Sequence, residues 1–582
     1  MDEKKLYVRS LGRVSFEEGI GIQTGFGKSN DDYLLLLEHD PVYTCGSGTQ
    51  PDHLKDIKKS DIEVVEVDRG GSVTFHGPGQ LVGYPIINVE QSSGDVRGSL
   101  KFIRKLQDVL IEALRILGID AIARSGFTGV WVDFGEGNPE FERYKKIAAI
   151  GVKVAHGRSR HGFALNISAD LEYFEKIVPC GIENYGVTSF HELGFDHISV
   201  DEVSETITKT FVERFVYDSV DIANVGWHNG VSSVPSSDIV RDSEPSRSES
   251  SAISLERSEF PSNKEDLSRF SSEAVSVAQP SLRLLGRLSK AGVAVDSTKD
   301  RTKRPDWMKN KFKATDGYTQ LKQLSSELGL NTVCEEAGCP NIYECWEEKT
   351  ATFMILGERC TRACSFCLVD TRKPQAVDEN EPKNVAIAIS KLGLDFAVIT
   401  CVARDDLDDD GSGHFAQTVK EIRGLSPKTQ IELLISDCRG RVSSLQTIFD
   451  ERPDVLNHNI ETVARLQKAV RPNASYARSL SVLARAKSEN LVTKSGIIVG
   501  MGETNSELFQ TLRDLKNVGV DIVTIGQYLQ PTSQHLPVHR FVRPDEFALF
   551  KEYGEKIGIS HVESGPLVRS SYHAKSASKT VQ

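Results

Sequence analysis

At 582 residues, with 39% hydrophobic and 26% charged residues, the chain is too long for one compact domain. Seventy Lys and Arg against 82 Asp and Glu leave a net charge of −12, which argues against nucleic acid as the main ligand, since that needs a basic face to neutralise phosphates. No apolar run approaches the ~18 residues of a membrane span, and the start Met1-Asp2-Glu3-Lys4-Lys5 lacks the apolar core of a secretory signal and the Arg/Ser-rich pattern of an organellar presequence, so a cytoplasmic protein away from membranes is expected.

In chain order, Leu34–Glu38 and Ile62–Asp68 read as strands. Ser99–Leu117 reads as an amphipathic helix with Ile103, Leu106, Leu110, Ala113, Leu114 and Leu117 on one face, Ser99 to cap it and Gly118 to end it. Short β-rich pieces follow at Gly129–Val132, Lys146–Val154 and Gly162–Asn166, a mixture that predicts an α+β domain. Val231–Pro280 then holds 16 serines in 50 residues without a sustained apolar period, and is expected to be a disordered linker. Gln279–Val295, with its LRLLGRL run, reads as a partly ordered linker end, a short docking helix being the alternative. Beyond it, strand-like Ala351–Leu356, Phe396–Val402, Ile431–Ile435, Ser495–Val499 and Ile522–Tyr528 alternate with helical Asn384–Leu392, Phe415–Ile422, Tyr476–Glu489, Asn505–Asn517 and Pro544–Ile557. Repeated βα units predict a parallel sheet, doubly wound or barrel-like, with reactive groups at the carboxyl ends of its strands. The expected division is residues 1–225, a linker over 226–300, and 301–582.

Six of the ten cysteines fall between Cys334 and Cys367, a clustering that favours metal or cluster ligation over disulfides. Cys360, Cys364 and Cys367 form C-x3-C-x2-C directly after a strand, and three thiolates in a tight loop can hold three irons of a [4Fe–4S] cluster while leaving the fourth open to a small molecule. Zinc is the alternative, although zinc sites prefer paired cysteines that supply four ligands. Cys334, Cys339 and Cys345, spaced C-x4-C-x5-C, point to a second cluster, again one ligand short, or to zinc ligands or inert thiols. Cys45, Cys401 and Cys438 read as small buried packing residues.

The first of these motifs is the radical S-adenosylmethionine signature. Together with LNTVCEEAGCPNIYECW, CTRACSFC, RDDLDDDGSGHFA, NHNIETV, TKSGIIVGMGET, IGQYLQPT and GPLVRSSYHA, it makes residues 305–575 resemble the lipoyl synthases. The resemblance implies a partial (β/α) barrel and two [4Fe–4S] clusters. It assigns Cys360, Cys364 and Cys367 to the cluster that binds S-adenosylmethionine, and Cys334, Cys339, Cys345 and Ser571 to an auxiliary cluster dismantled to donate two sulfur atoms. Ser436-Asp437-Cys438-Arg439-Gly440 and Cys401 depart from the family pattern.

Upstream, Arg69-Gly70-Gly71-Ser72-Val73-Thr74-Phe75-His76, continuing as Gly77-Pro78-Gly79-Gln80, reads equally as a strand–turn–strand or as a loop whose glycines let a ligand approach the backbone, with Arg69 and His76 as polar contacts. It is no Walker A loop. Cys180 between Pro179 and Gly181 suits a nucleophile, though a lone Cys is more often structural. A Lys in the apolar run Lys145-Lys146-Ile147-Ala148 could act as a base, but alternation leaves open which of the two faces inward.

RGGSVTFHGPGQ, KKIAAIG, RHGFALNI and IVPCGI, with LYVRSLGRVSFEEG and LLLLEHDPVYTCG, make residues 5–220 resemble the lipoyl(octanoyl) transferases, of biotin/lipoate protein ligase-like fold. The resemblance implies Cys180 as the acyl-accepting nucleophile and Lys146 as its activating partner. It also implies an acyl pocket lined by residues 69–76, by Ala149, Ile150 and Gly151, and by Gly162, Phe163 and Ala164. Together the two resemblances imply an enzyme that moves octanoyl from octanoyl-acyl carrier protein to lipoyl-accepting domains (E2 subunits of 2-oxoacid dehydrogenases, the glycine cleavage H protein). It would then insert sulfur at C6 and C8 with a ferredoxin- or flavodoxin-type reductant. The alternatives are an ATP-dependent lipoate ligase half fused to a radical enzyme, and a non-catalytic zinc-binding scaffold.

Overall fold

A computed structural model describes residues 3–55, 57, 61–89, 98–135, 143–182, 185–225, 280–294, 304–308, 330–332, 341, 345 and 349–581. The Ser-rich stretch 231–279 and the ligand candidates Cys334 and Cys339 lie outside the described residues.

The amino half runs β1 (Lys5–Val14), α1 (Phe16–Phe26), β2 (Asp32–His39), β3 (Val42–Cys45), β4 (Glu63–Glu66), β5 (Thr74–His76), β6 (Gln80–Ile86), α2 (Gly98–Ile116), β7 (Ile122–Arg124), β8 (Phe127–Asp133), β9 (Tyr144–Ala155), β10 (Arg158–Asn166), β11 (Gly186–Val187), α3 (Val200–Phe215) and β12 (Ser219–Asn224). The main sheet has strand order β12-β1-β2-β6-β10-β9-β8-β7, parallel across β12-β1-β2 and antiparallel beyond, with β11 added beside β9. A second sheet, β4-β3-β5, carries the glycine-rich loop. This is a mixed α+β fold of the expected ligase-like kind.

The unbroken run Leu34–Leu37 in β2 is buried on both faces of the sheet. A one-sided sheet would alternate instead. Helices α2 and α3 pack together and α2 lies over β7, β8 and β9; α1 packs against helix Tyr476–Ser488 of the carboxyl half.

The carboxyl half begins with α4 (Leu282–Lys290) and continues β13 (Asn331–Thr332), β14 (Thr350–Ile355), α5 (Glu381–Leu392), β15 (Phe396–Cys401), α6 (Ser412–Leu425), β16 (Gln430–Leu434), α7 (Val442–Asp450), β17 (Val455–Asn457), α8 (Tyr476–Ser488), β18 (Thr493–Val499), α9 (Asn505–Asn517), β19 (Ile522–Gln527), α10 (Pro544–Lys556), β20 (His561–Gly565) and α11 (Ala574–Val581). Strands β14 to β20 are parallel neighbours in sequence order and β13 adds antiparallel to β14, giving a (β/α) partial barrel.

One expectation is corrected. Residues 282–290, favoured as a loose linker end, form a helix docked on the barrel. Ser281 caps it, accepting from the Leu284 N–H at 3.2 Å, and Leu284 and Leu288 are buried against Val463, Leu466, Met501 and Leu536. The four-residue spacing of those leucines puts both on one face of a helix, and burying them offsets the ordering entropy of this short segment.

The two halves share one apolar core. Along α1, Gly21 and Gly25 let α8 approach closely: a Cβ on Gly21 would lie 2.1 Å from Ser481 Oγ, and one on Gly25 2.8 Å from Ala484 Cβ. Among the described residues no helix is long and apolar enough to cross a membrane.

Candidate functional sites in the two halves

In the amino half the predicted pocket segments come together. Strands β9 and β10 pair Ala149 with Ala164, Ile150 with Phe163 and Gly151 with Gly162. The Arg69 loop crosses them, its Gly70 N–H donating to Val152 O. Close backbones demand both glycines: a Cβ on Gly151 would lie 3.1 Å from Gly70 O of the loop, and one on Gly162 2.0 Å from Gly83 O of β6. The polar residues of the loop are turned inward. Arg69 donates to Thr44 O, Thr44 Oγ1 and Ser72 O, each at 2.8 Å, and so braces the loop. His76 bonds Gln80 Oε1 at 2.8 Å, and burial lowers its pKa to about 3, leaving it neutral.

Cys180 sits at the centre of a single turn with φ 58°, a left-handed conformation unusual for a non-glycine residue. Its N–H donates to Val73 O at 2.8 Å, tying the turn to the glycine-rich loop, and its side chain is half-buried. Gly181 follows, also left-handed, where a Cβ would crowd His53 and Ser72. His53 Nδ1 and Ser72 Oγ are hydrogen-bonded at 2.6 Å. Burial lowers the Arg69 guanidinium, and Cys180 is the foremost group opposing that shift, which places the two in one electrostatic neighbourhood.

The lysine ambiguity is resolved by burial. Lys146 is 5% exposed, with its Nζ 4.9 Å from the Trp131 ring centroid, whereas Lys145 turns outward to Glu192 at 2.7 Å. No hydrogen bond joins Lys146 to Cys180 among the described residues. His53 carries no local signal, since nothing in Pro51-Asp52-His53 sets it apart. His161, which bonds Asp68 at 2.9 Å, lies in the quoted RHGFALNI run without having been singled out.

In the carboxyl half, the Cys360–Cys367 loop follows β14 at the carboxyl end of the sheet. Cys360 Sγ accepts backbone N–H groups from Arg362 at 3.4 Å and Ala403 at 3.3 Å. Cys367 N–H donates to Cys364 O at 3.1 Å, Ser365 N–H to Val470 O, and Leu536 N–H to Ser365 O. Burial pushes the Cys364 thiol up to about 12, with Arg471 opposing and Cys367, Glu461 and Cys360 adding to the rise. Burial, with Cys360 and Glu461, raises Cys367 too.

Neighbouring thiols that raise one another in this way favour a bound positive centre, which reverses the penalty. The mutual effect of Cys360, Cys364 and Cys367 shows that the three thiols share one neighbourhood, a set of soft donors of the kind that holds iron–sulfur clusters or zinc. Among the described residues no three His, Cys, Asp or Glu side chains converge as ligands of a single metal ion. Of the auxiliary set, Cys345 and Ser571 line one small cavity with Asn341, Thr350, Thr352 and Arg569. Cys45, Cys401 and Cys438 are packed thiols with pKa values raised by burial, Cys401 to about 12.

Two further groups anchor the cluster loop. Asp405 receives Arg362 at both oxygens, at 2.8 and 2.7 Å, and Asp437, wholly buried, receives the same guanidinium at 2.6 Å. Asp437 lies in the Ser436–Gly440 stretch that the sequence marks only as a departure.

Residues 21–212 match the lipoyl protein ligase A/B catalytic domain, and residues 354–515 the radical SAM superfamily. Lipoyl synthase from Rubrobacter xylanophilus is 54% identical over 273 residues, covering 47% of this chain and 85% of that one. Lipoyl synthase from Caldicellulosiruptor saccharolyticus is 50% identical over 283 residues, 48% of this chain and 99% of that one. A putative lipoate protein ligase from T. acidophilum aligns over 39% of this chain and 90% of that one, at 19% identity and a TM-score of 0.29. The chain belongs to the lipoyl synthase family and carries, ahead of that part, a catalytic domain of the lipoyl protein ligase A/B type.

Proposed function

We propose that the chain performs two consecutive steps of protein lipoylation, with residues 1–225 and 301–582 as the two catalytic units and residues 226–300 between them. One observation carries this reading. The ligase-type domain that precedes the synthase presents Cys180, half-buried in a left-handed turn, against the glycine-rich loop that borders the predicted acyl pocket.

In the amino half, the Cys180 sulfur attacks the thioester carbonyl of octanoyl-acyl carrier protein, and the carrier thiol leaves. A lysine amine of the acceptor domain then attacks the new thioester, forming the amide and returning the thiol. Lys146, in its apolar setting beside Trp131, takes the acceptor's proton. Acceptors are lipoyl domains of 2-oxoacid dehydrogenase E2 subunits and the glycine cleavage H protein.

In the carboxyl half, Cys360, Cys364 and Cys367 would hold the cluster that binds S-adenosylmethionine, and Cys334, Cys339, Cys345 and Ser571 the auxiliary one. When bound, with a ferredoxin- or flavodoxin-type reductant, these [4Fe–4S] groups supply radical cleavage of the cofactor and the two sulfur atoms placed at C6 and C8. Asp405 and Asp437 fix Arg362 and hold the ligand loop against the strand ends.

A second reading of the amino half is activation of a free acid with ATP. The family matched by residues 21–212 is described as a lipoyl protein ligase A/B catalytic domain, a description that favours this alternative. The deciding experiment is anaerobic incubation of the full chain with an acceptor domain, reductant and S-adenosylmethionine, supplied with either octanoyl-carrier protein or octanoate plus ATP. Mass spectrometry of the acceptor follows. Lipoylated acceptor from carrier protein alone supports transfer; product only with octanoate and ATP replaces it with ligation. Iron and sulfide analysis of the same protein separates clusters from a zinc scaffold.

A further inference from the structure

We propose that Glu18, in the amino half, is a positioning residue for the Cys360–Cys367 loop of the barrel, acting through Arg478, Asp437 and Arg362. The proposal rests on the reading of those cysteines as cluster ligands. Its basis is an alternating run of charges across the boundary between the halves. Glu18 Oε1 accepts from Arg478 Nε at 2.5 Å, Arg478 Nη1 lies 3.6 Å from Asp437 Oδ2, and Asp437 Oδ1 accepts from Arg362 Nη2 at 2.6 Å. Arg362 in turn grips Asp405, and its own N–H is aimed at the Cys360 sulfur.

Each link has little slack. Asp437 is fully buried, and among the described residues its Oδ2 has no hydrogen-bond donor, so the Arg478 cation beside it is the group that compensates that oxygen. Arg478 is a long side chain on α8, 24% exposed, and could swing toward water were its Nε not held by Glu18. Glu18 is itself fixed: its carboxylate is 3% exposed and its Oε2 accepts the Ser15 N–H at 3.1 Å in the capping box that begins α1. It also closes over the turn that carries Asp437, because a Cβ on Gly440 would lie 3.0 Å from Glu18 Oε1.

Without Glu18, Arg478 is free to leave. Asp437 then has one buried oxygen uncompensated, and its hold on Arg362 must adjust. Arg362 stands between Cys360 and Cys364, so that adjustment reaches the ligand loop. The amino half thus contributes a side chain to the setting of the other half's cofactor site.

The test uses the full-length chain, anaerobically reconstituted with iron and sulfide, as wild type, Glu18→Ala, Glu18→Gln and Arg485→Ala. Arg485 is the control: it joins the same helices, donating to Glu17 O at 2.7 Å, and, though near Glu18, makes no hydrogen bond to Glu18, Asp437 or Arg362 among the described residues. The readouts are iron content, the low-temperature electron paramagnetic resonance spectrum of the reduced protein with and without S-adenosylmethionine, and 5′-deoxyadenosine formation. Thermal unfolding monitors folding.

Glu18→Ala is expected to alter the spectrum with S-adenosylmethionine and to slow cleavage about five- to tenfold. Arg485→Ala should do neither, and Glu18→Gln, which keeps an acceptor oxygen without charge, should fall between. A spectrum and rate for Glu18→Ala equal to those of Arg485→Ala overturn the proposal. Should Glu18→Ala unfold earlier than the control, Arg478→Lys, which leaves α1 untouched, must show the same spectral change, and its absence overturns the proposal equally. A wild type that holds no iron overturns the ligand reading itself, and this proposal with it.

Discussion

Arg9 and Asp514, 505 positions apart in the chain, form a doubly hydrogen-bonded ion pair, with Nε 3.0 and 2.8 Å from the two carboxylate oxygens. Both side chains are sealed, at 1% and 0% exposure, and Tyr33 and Tyr476 also donate to the carboxylate. A salt bridge in water contributes little, but breaking a buried one leaves an uncompensated charge. Arg9→Met should therefore weaken the junction between the halves by about 3–5 kcal/mol, whereas Arg9→Met with Asp514→Leu should recover part of the loss. Denaturant unfolding of the full chain checks this through the midpoint of its first transition.

The same junction depends on two positions without side chains. Gly25→Leu in α1 must push Ala484 and Val518 aside, since even a Cβ there would lie 2.8 Å from Ala484. Overpacking of this kind costs about 1–3 kcal/mol, and more where backbones are in contact. Protease digestion should degrade the variant faster than wild type; equal resistance would show that the larger side chain is accommodated without loosening the junction.

Three wholly buried histidines predict an acid weakness. Burial lowers His39 and His458 to about 4 and His76 to about 3, against the ordinary 6.5. On unfolding each regains its ordinary pKa, so below about pH 6.5 the unfolded chain binds more protons and stability falls as pH falls. The loss should approach about 1 kcal/mol per pH unit per histidine between about pH 6 and 4. Denaturation midpoints across that range measure it, and a flat profile would refute it.

Much of this arrangement was legible in the sequence because its elements repeat. The βα alternation gave strands β14, β15, β16, β18 and β19 to within about two residues, since each is a buried apolar run followed by an amphipathic helix. Strand β17 is three residues long and β20, HVESG, is half polar, so neither carries a periodic signal. Helix α1, FEEGIGIQTGF, hides its nature behind three glycines; Gly21 and Gly25 make sense only once α8 is seen against them, and Gly19 only once His39 is. The cysteine spacings revealed the candidate ligands, whereas Asp437, Arg478 and Glu18 are ordinary charged residues whose meaning lies in contacts between distant positions, 460 apart for Glu18 and Arg478 and 75 apart for Asp437 and Arg362.

Lys146 and Lys145 should separate cleanly in octanoyl transfer. Lys146 projects into the buried layer beside Trp131, where its amine can act on a reactant, and Lys145 is spent on Glu192 at the surface. Lys146→Ala should slow transfer by about 10²–10⁴-fold, the usual contribution of a positioned acid–base group, and Lys145→Ala by less than about twofold. Single-turnover assays with octanoyl-carrier protein make the comparison, and the reverse order would move the base to Lys145.

Cys180→Ala should abolish the acyl-enzyme and octanoyl transfer while leaving the barrel able to lipoylate an acceptor already carrying octanoate. A thioester requires a sulfur nucleophile, and Cys45, the other thiol described in the amino half, is buried. Mass spectrometry of the enzyme after exposure to octanoyl-carrier protein should show the octanoyl adduct on wild type and none on the variant. Residual transfer at a substantial rate would remove Cys180 from the reaction.

The two cysteine groups of the barrel should fail differently. Cys364 lies in the loop assigned to the cofactor-binding cluster, so Cys364→Ala should end formation of 5′-deoxyadenosine and, with it, sulfur insertion. Cys345 borders a different cavity, shared with Ser571, and Cys345→Ala should leave some 5′-deoxyadenosine while ending sulfur insertion, because only the sulfur donor is lost. Ser571→Ala should fall in the second class, since Ser571 lines the same cavity as Cys345. Ser571→Cys should bind iron more firmly and insert sulfur more slowly, as a thiolate is a softer and tighter ligand than a hydroxyl. Assaying 5′-deoxyadenosine and lipoylated acceptor from the same reactions sorts the variants, with iron counts as the independent measure. Full sulfur insertion by Cys345→Ala would rule out the auxiliary cluster as donor, and normal insertion by Ser571→Ala would reduce that serine to a structural contact.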